Sequence, residues 1–126
     1  METIRITLAG EPRTKKNSQR IMVKPDGKRF VMPSAQYEKY EQACLWQLRR
    51  YNRMDLQGPV NVECVYFMPS LRRVDLCNLL EATCDILVKA GVLIDDNSKV
   101  VASHDGSRVL LDRQRPRVEI KITEVT

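Results

Sequence analysis

At 126 residues, with 43% hydrophobic and 29% charged side chains, the chain has the size and composition of one domain that buries a core without disulfides or a structural metal. Lys and Arg number 21 against 16 Asp and Glu, a formal charge of +5, which favours a polyanionic partner without naming one. No run approaches the roughly 18 apolar residues of a membrane span, and the opening METIRITLAG lacks the apolar segment of a signal peptide, so a cytoplasmic protein without a membrane partner is expected.

The first element in chain order is a strand over residues 3–8, where Ile4, Ile6 and Leu8 alternate with polar neighbours. A loop, AGEPRTKKNSQR, follows, and its basic character continues into IMVKPDGKRFVM, where Pro25-Asp26-Gly27 reads as the turn between two short strands. From Glu11 to Arg29 there are seven Lys or Arg against two acids, a pattern that fits a solvated surface as well as a phosphate-binding one.

Ser34 can cap a first helix, in which Tyr37, Tyr40, Cys44, Leu48 and Tyr51 recur on one face and form a core stripe. Trp46 falls on the opposite face, where it either packs beneath another element or marks a partner surface. Gly58-Pro59 breaks the chain before VNVECVYFM, a strand whose imperfect alternation predicts burial on both faces.

A second helix opens at Asp75, a natural N-cap, and ends near Gly91, a natural C′ residue. Leu76, Leu79, Leu80, Thr83, Leu87 and Ala90 form its expected buried side, and Asn78, Glu81, Asp85 and Lys89 lie opposite. A strand near residues 99–104, a loop through Asp105-Gly106 to Pro116 and a last strand, RVEIKITEV, complete the chain. The expected fold is a single α+β domain over 1–126, a mixed sheet of four to six strands with two helices in the order β-β-β-α-β-α-β-β. The four cysteines form no CxxC pair, and Cys77 and Cys84 are separated by about 10 Å of helix axis, too far to bridge, so reduced and mostly buried thiols are expected.

Acids gather at Asp75, at Glu81 and at Asp95-Asp96 just beyond the helix, with Arg72 and Arg73 directly before them. A solvated helix face and a turn produce such a pattern. Phosphodiester hydrolysis also calls for it: acids hold Mg²⁺, which polarises phosphate and activates water, while Arg and Lys grip the backbone. His104, the single histidine, fits a structural role at a strand end or the positioning of water or phosphate.

The stretch RRVDLCNLLEATCDILVKAGVLIDDNSKV resembles the signature of the RusA family of Holliday junction endodeoxyribonucleases, an Asp-x-Asp-Asn helix start followed by a Lys-Ala-Gly exit and Asp-Asp. ITLAGEPRTKKNSQR and PRVEIKITEV are similar to that family's first and last strands. The resemblance implies a homodimer, bacterial or phage-encoded, that binds branched DNA and cuts four-way junctions with Mg²⁺ or Mn²⁺ in recombination and repair. It places Asp75 and Asp96 as catalytic metal ligands, with Asp95 beside them and Asn78 as the motif asparagine. Lys15, Lys16, Asn17, Arg20, Arg72 and Arg73 are assigned to DNA, each with surface solubility as the alternative.

Two positions depart from the pattern. Cys77 replaces the second aspartate, and Glu81 stands where the family often has lysine. A thiolate is a poor Mg²⁺ ligand, but Glu81 lies at i+4 from Cys77 and leans toward the helix start, so it is a candidate third catalytic acid. Asp85 lies about 15 Å along the helix from Asp75, too far to share the ion. The rival reading is a junction-binding protein that no longer cuts. An RNA- or single-strand-binding domain is disfavoured by only two Phe and one Trp for base stacking.

Overall fold

The computed structural model describes residues 2–15 and 20–126. Lys16 and Asn17, two of the expected phosphate contacts, lie outside the described residues. The elements are β1 (Ile4–Ala9), β2 (Arg20–Val23), β3 (Arg29–Met32), α1 (Ala35–Gln47), β4 (Val60–Met68), α2 (Leu76–Lys89), β5 (Val101–Ser103), β6 (Arg108–Leu111) and β7 (Arg117–Glu124). The α+β class and the element order are as the sequence leads one to expect, with one addition: β6 lies in the stretch that reads as a loop.

β4 is the centre of the main sheet. β7 pairs antiparallel with it along one side, and β1 pairs antiparallel with β7. On the other side β5 and β6 share its length, both parallel to it. β2 and β3 form a separate hairpin.

Alternation decides which side of this sheet the helices cover. Along β4, Val60, Val62, Cys64 and Tyr66 are fully buried, while Asn61, Glu63, Val65 and Phe67 between them are only half-buried. Ile6 and Leu8 of β1, and Val118, Ile120 and Ile122 of β7, extend the same buried face. β4 is therefore not buried on both faces, contrary to the sequence expectation. Its second face is open and mixed, carrying Asn61 and Glu63 beside Val65 and Phe67, with Lys121 bound to Glu63 at 3.1 Å.

Ser34 caps α1 by accepting the Tyr37 N–H at 3.1 Å, and Tyr37, Tyr40, Cys44 and Leu48 pack inward. Trp46 remains 68% exposed, with the Arg49 guanidinium 3.9 Å above its ring. At the end of α1, Gln47 binds the β1 edge, accepting the Ala9 N–H at 2.8 Å and donating to the Ala9 carbonyl at 3.1 Å.

α2 buries Leu79, Ala82, Thr83, Cys84, Ile86 and Leu87. Thr83, a polar residue in this core, has its hydroxyl 2.7 Å from the Tyr66 hydroxyl and donates to the Leu79 carbonyl at 2.9 Å. The helix ends in a Schellman turn: Gly91 at φ +79° donates to the Val88 carbonyl and Val92 to the Leu87 carbonyl. This reversal sends residues 92–100 back over α2 toward β5. Among the described residues no helix is long and apolar enough to cross a membrane.

Candidate active site

Asp75 begins the site because a helix start has backbone N–H groups that need acceptors. Its Oδ1 accepts the Cys77 N–H at 2.9 Å and reaches the Asn78 N–H at 3.4 Å. Both bonds fix the carboxylate at the mouth of α2, where the helix dipole favours negative charge.

From that start, Cys77, Leu80, Glu81 and Cys84 follow at helical spacings and line one side of a shallow cleft. Asp96, from the returning segment, and His104, just beyond β5, line the other. The structure thus brings Asp96 against the outward face of α2 beside Glu81. Asp75 does not line this cleft.

Asp95 stands beside Asp96 but is used locally. Its Oδ1 accepts the Asp96 N–H at 2.7 Å and its Oδ2 accepts the Asn97 side-chain amide at 3.1 Å. Partial desolvation, then the charge of Asp85 and the neighbouring Asp95, raise the Asp96 carboxyl above its ordinary value. Asp85, set aside by its axial distance from Asp75, therefore acts electrostatically on Asp96.

His104 has a structural setting. Its Nδ1 lies 2.7 Å from the Val62 carbonyl oxygen and so carries the proton, while Nε2 faces the Cys84 sulfur at 3.8 Å. Burial pushes the Cys84 thiol up to about 12, so it stays protonated near neutral pH. Cys77 is the exposed thiol, and Cys44, Cys64 and Cys84 are buried and free.

Arg72 and Arg73 line a second cleft with Glu11, Arg13 and Thr14 of the N-terminal loop and Ser34 at the start of α1. Asp75 stands between the two clefts in the chain. Two other expected cations are engaged elsewhere: Lys15 is bound to Asp85 at 2.6 Å, and Arg20 donates to the Pro33 carbonyl at 3.1 Å and to Glu38 at 2.9 Å. Asn78 is half-buried in the first turn of α2.

Among the described residues, no three of His, Cys, Asp and Glu are gathered as a ready-made metal cage. Mg²⁺ does not demand one: it binds through one or two carboxylates when phosphate oxygens and water complete its shell. Asp75, Glu81 and Asp96 offer hard oxygen donors, and Asp96 has the carboxylates of Asp85 and Asp95 near it, so these residues fit such an ion in kind.

Acids on one helix face, arginines before its first turn and a positive overall charge define a small α+β protein suited to meeting a phosphate backbone. Comparison with known proteins gives the family. A family model described as Endodeoxyribonuclease RusA matches residues 9–123, and the chain belongs to that family. The crossover junction endodeoxyribonuclease RusA of Aquifex aeolicus (strain VF5) is 29% identical over 98 residues, covering 77% of this chain and 75% of the relative.

Proposed function

We propose that this chain is a metal-dependent endonuclease that hydrolyses phosphodiester bonds at four-way DNA junctions, acting as a homodimer in recombination and repair. The observation that carries this reading is the seating of Asp96 against α2 beside Glu81, on the helix that Asp75 caps, in a member of an endodeoxyribonuclease family. Asp75 and Asp96 would hold Mg²⁺ or Mn²⁺, with Glu81 or Asp95 completing or flanking the set. When bound, the ion supplies Lewis-acid polarisation of the phosphate and a nucleophilic water near neutral pH.

The remaining roles belong to the chain itself. Arg72 and Arg73 bind phosphate oxygens ahead of the helix and set the strand's position over α2. Asn78, in the first turn, offers a neutral amide to the same backbone. The cap bonds from Cys77 and Asn78 hold the Asp75 carboxylate oriented before substrate arrives. Junction selection comes from the dimer's geometry, since phosphate contacts carry little sequence information.

One observation favours a second reading, a branched-DNA-binding protein that does not cut. Cys77 is exposed in the cleft where the family pattern has a carboxylate. Cleavage of a synthetic four-way junction, with Mg²⁺ and with EDTA, separates the two. Metal-dependent cutting by wild type and its loss in both Asp75→Asn and Asp96→Asn support the nuclease. Junction binding without cutting under any divalent ion supports the second reading.

A further inference from the structure

Among the described residues β6 pairs with β4 alone and so forms a margin of the main sheet. All four of its residues are exposed, including Val109 at 36%, Leu110 at 43% and Leu111 at 41%. An apolar edge strand with unpaired backbone groups is a template for another strand, which proteins ordinarily blunt. On the opposite margin Gln47 occupies both backbone groups of Ala9 at the end of β1, and Arg5 adds a charge to that strand.

The ladder fixes which groups of β6 are unpaired. Asp112 donates its N–H to the Met68 carbonyl at 2.8 Å, so residues 108, 110 and 112 direct their backbone groups toward β4. Val109 and Leu111 direct theirs outward. Side chains alternate independently: Leu110 aligns with Phe67 on the open face, while Val109 and Leu111 align with Tyr66 and Met68 on the helix-bearing face.

We infer that β6 pairs antiparallel with β6 of a second copy of this chain, about a two-fold axis through Leu110, joining two sheets into one. This rests on the homodimer reading above and assigns its surface. In that register Val109 faces Leu111 of the partner, and the outward groups of both residues exchange backbone hydrogen bonds on each side of the axis. Leu110 meets its own mate as the non-hydrogen-bonded pair, beside Phe67 with Arg117 stacked 3.9 Å above its ring.

Charge selects the same register. Arg108 falls opposite Asp112 of the partner, twice by symmetry. Asp112 already accepts the Gln114 and Arg115 N–H groups on Oδ1 and the Arg117 guanidinium on Oδ2, and a carboxylate has about four acceptor sites, leaving capacity for a further donor. Arg108 uses its Nε for the Gly106 carbonyl at 3.2 Å, with its terminal nitrogens beyond that bond. Sliding the pairing by two residues keeps backbone bonding and loses both charge pairs.

The test is the oligomeric state of the full chain without DNA, read by sedimentation equilibrium. Wild type is expected to be a dimer and Leu110→Lys a monomer with a native melting transition. In a Cys77→Ser background, Leu110→Cys is expected to form an intermolecular disulfide on mild oxidation, because paired Cα atoms at such a position are about 4.5 Å apart, within disulfide range. Val109→Cys, whose mate is displaced along the strand, is expected not to. A monomeric wild type, or a dimer that Leu110→Lys leaves intact and Leu110→Cys fails to lock, overturns the proposal. Junction cleavage is read separately: a wild-type monomer that cuts ends the homodimer reading and the β6 pairing but keeps the nuclease, and a locked dimer that cuts nothing ends the nuclease reading alone.

Discussion

Lys15 and Asp85 are bound to each other at 2.6 Å across 70 residues of sequence, tying the basic N-terminal loop to the outward side of α2. The lysine expected to grip phosphate is thereby engaged with a carboxylate that also acts on Asp96. Both partners are about a third exposed, so solvent screening keeps the pair small, at most about 1 kcal/mol.

Lys15→Ala should therefore lower stability in urea by no more than about 1 kcal/mol and barely change the salt dependence of junction binding. Replacing Arg72 and Arg73 together with Ala should reduce the slope of log K against log salt by about 1.8, or roughly 0.9 per lost phosphate contact on duplex arms. Equal effects from Lys15 and the arginine pair would mean that the bond to Asp85 opens on DNA.

Asp75 carries two separable burdens, and substitution distinguishes them. Asn caps helices as well as Asp, whereas Ala loses about 1 kcal/mol of cap energy. Asp75→Asn should melt within a degree or two of wild type and fail to cleave, the small shift following from a retained cap. Asp75→Ala should lose cleavage and stability together. Full cleavage by Asp75→Asn would remove this carboxylate from the chemistry.

Glu81 shares the cleft with Asp96 one helical turn after Cys77. If it replaces the acid missing at 77, Glu81→Gln depresses cleavage far more than junction binding, measured on the same substrate. Cys77→Asp would then restore activity to that variant. Unchanged cleavage by Glu81→Gln assigns the acid to the surface.

Thiol chemistry checks the burial pattern independently of DNA. Burial pushes the Cys44 thiol up to about 11 and those of Cys64 and Cys84 to about 12. Native protein at pH 8 should release one equivalent of chromophore with Ellman's reagent, from exposed Cys77, and four after unfolding. A second fast-reacting thiol would show that the core around Cys44, Cys64 or Cys84 opens readily.

The Asp112 carboxyl is held below its ordinary value, first by the Arg117 hydrogen bond at 2.9 Å and then by backbone N–H groups. A lowered folded value means that this contribution to stability is complete above the ordinary carboxylate range and is lost as pH falls through the folded value. Asp112→Asn should therefore weaken the protein at neutral pH and flatten its acid-side decline, seen in urea midpoints between pH 2 and about 6. A wild-type decline in that variant would exclude Asp112 as a contributor.

What was legible in the sequence follows the locality of its causes. Ser34, Asp75 and Gly91 announce their helix ends because caps are set by neighbours in the chain, and β1 and β7 show their alternation directly. β6 was hidden because its residues are exposed on both faces and its pairing to β4 is parallel and distant in sequence. β4 misled through Val65 and Phe67, apolar residues on the open side.

At the site, the acids on α2 and in the returning segment were readable as residue types, but their meeting point was not. Distance along the helix from Asp75 seemed to dismiss Asp85, yet the Gly91 reversal carries Asp96 back over the helix, within electrostatic reach of Asp85. The contacts of His104 with Val62 and Cys84 likewise depend on β5 lying beside β4.

Gln47 imitates a short piece of strand with a single side chain, and so stoppers one margin of the sheet. A strand arriving at that end of β1 finds both backbone groups of Ala9 already taken, so one helical amide does there what a neighbouring strand would otherwise do.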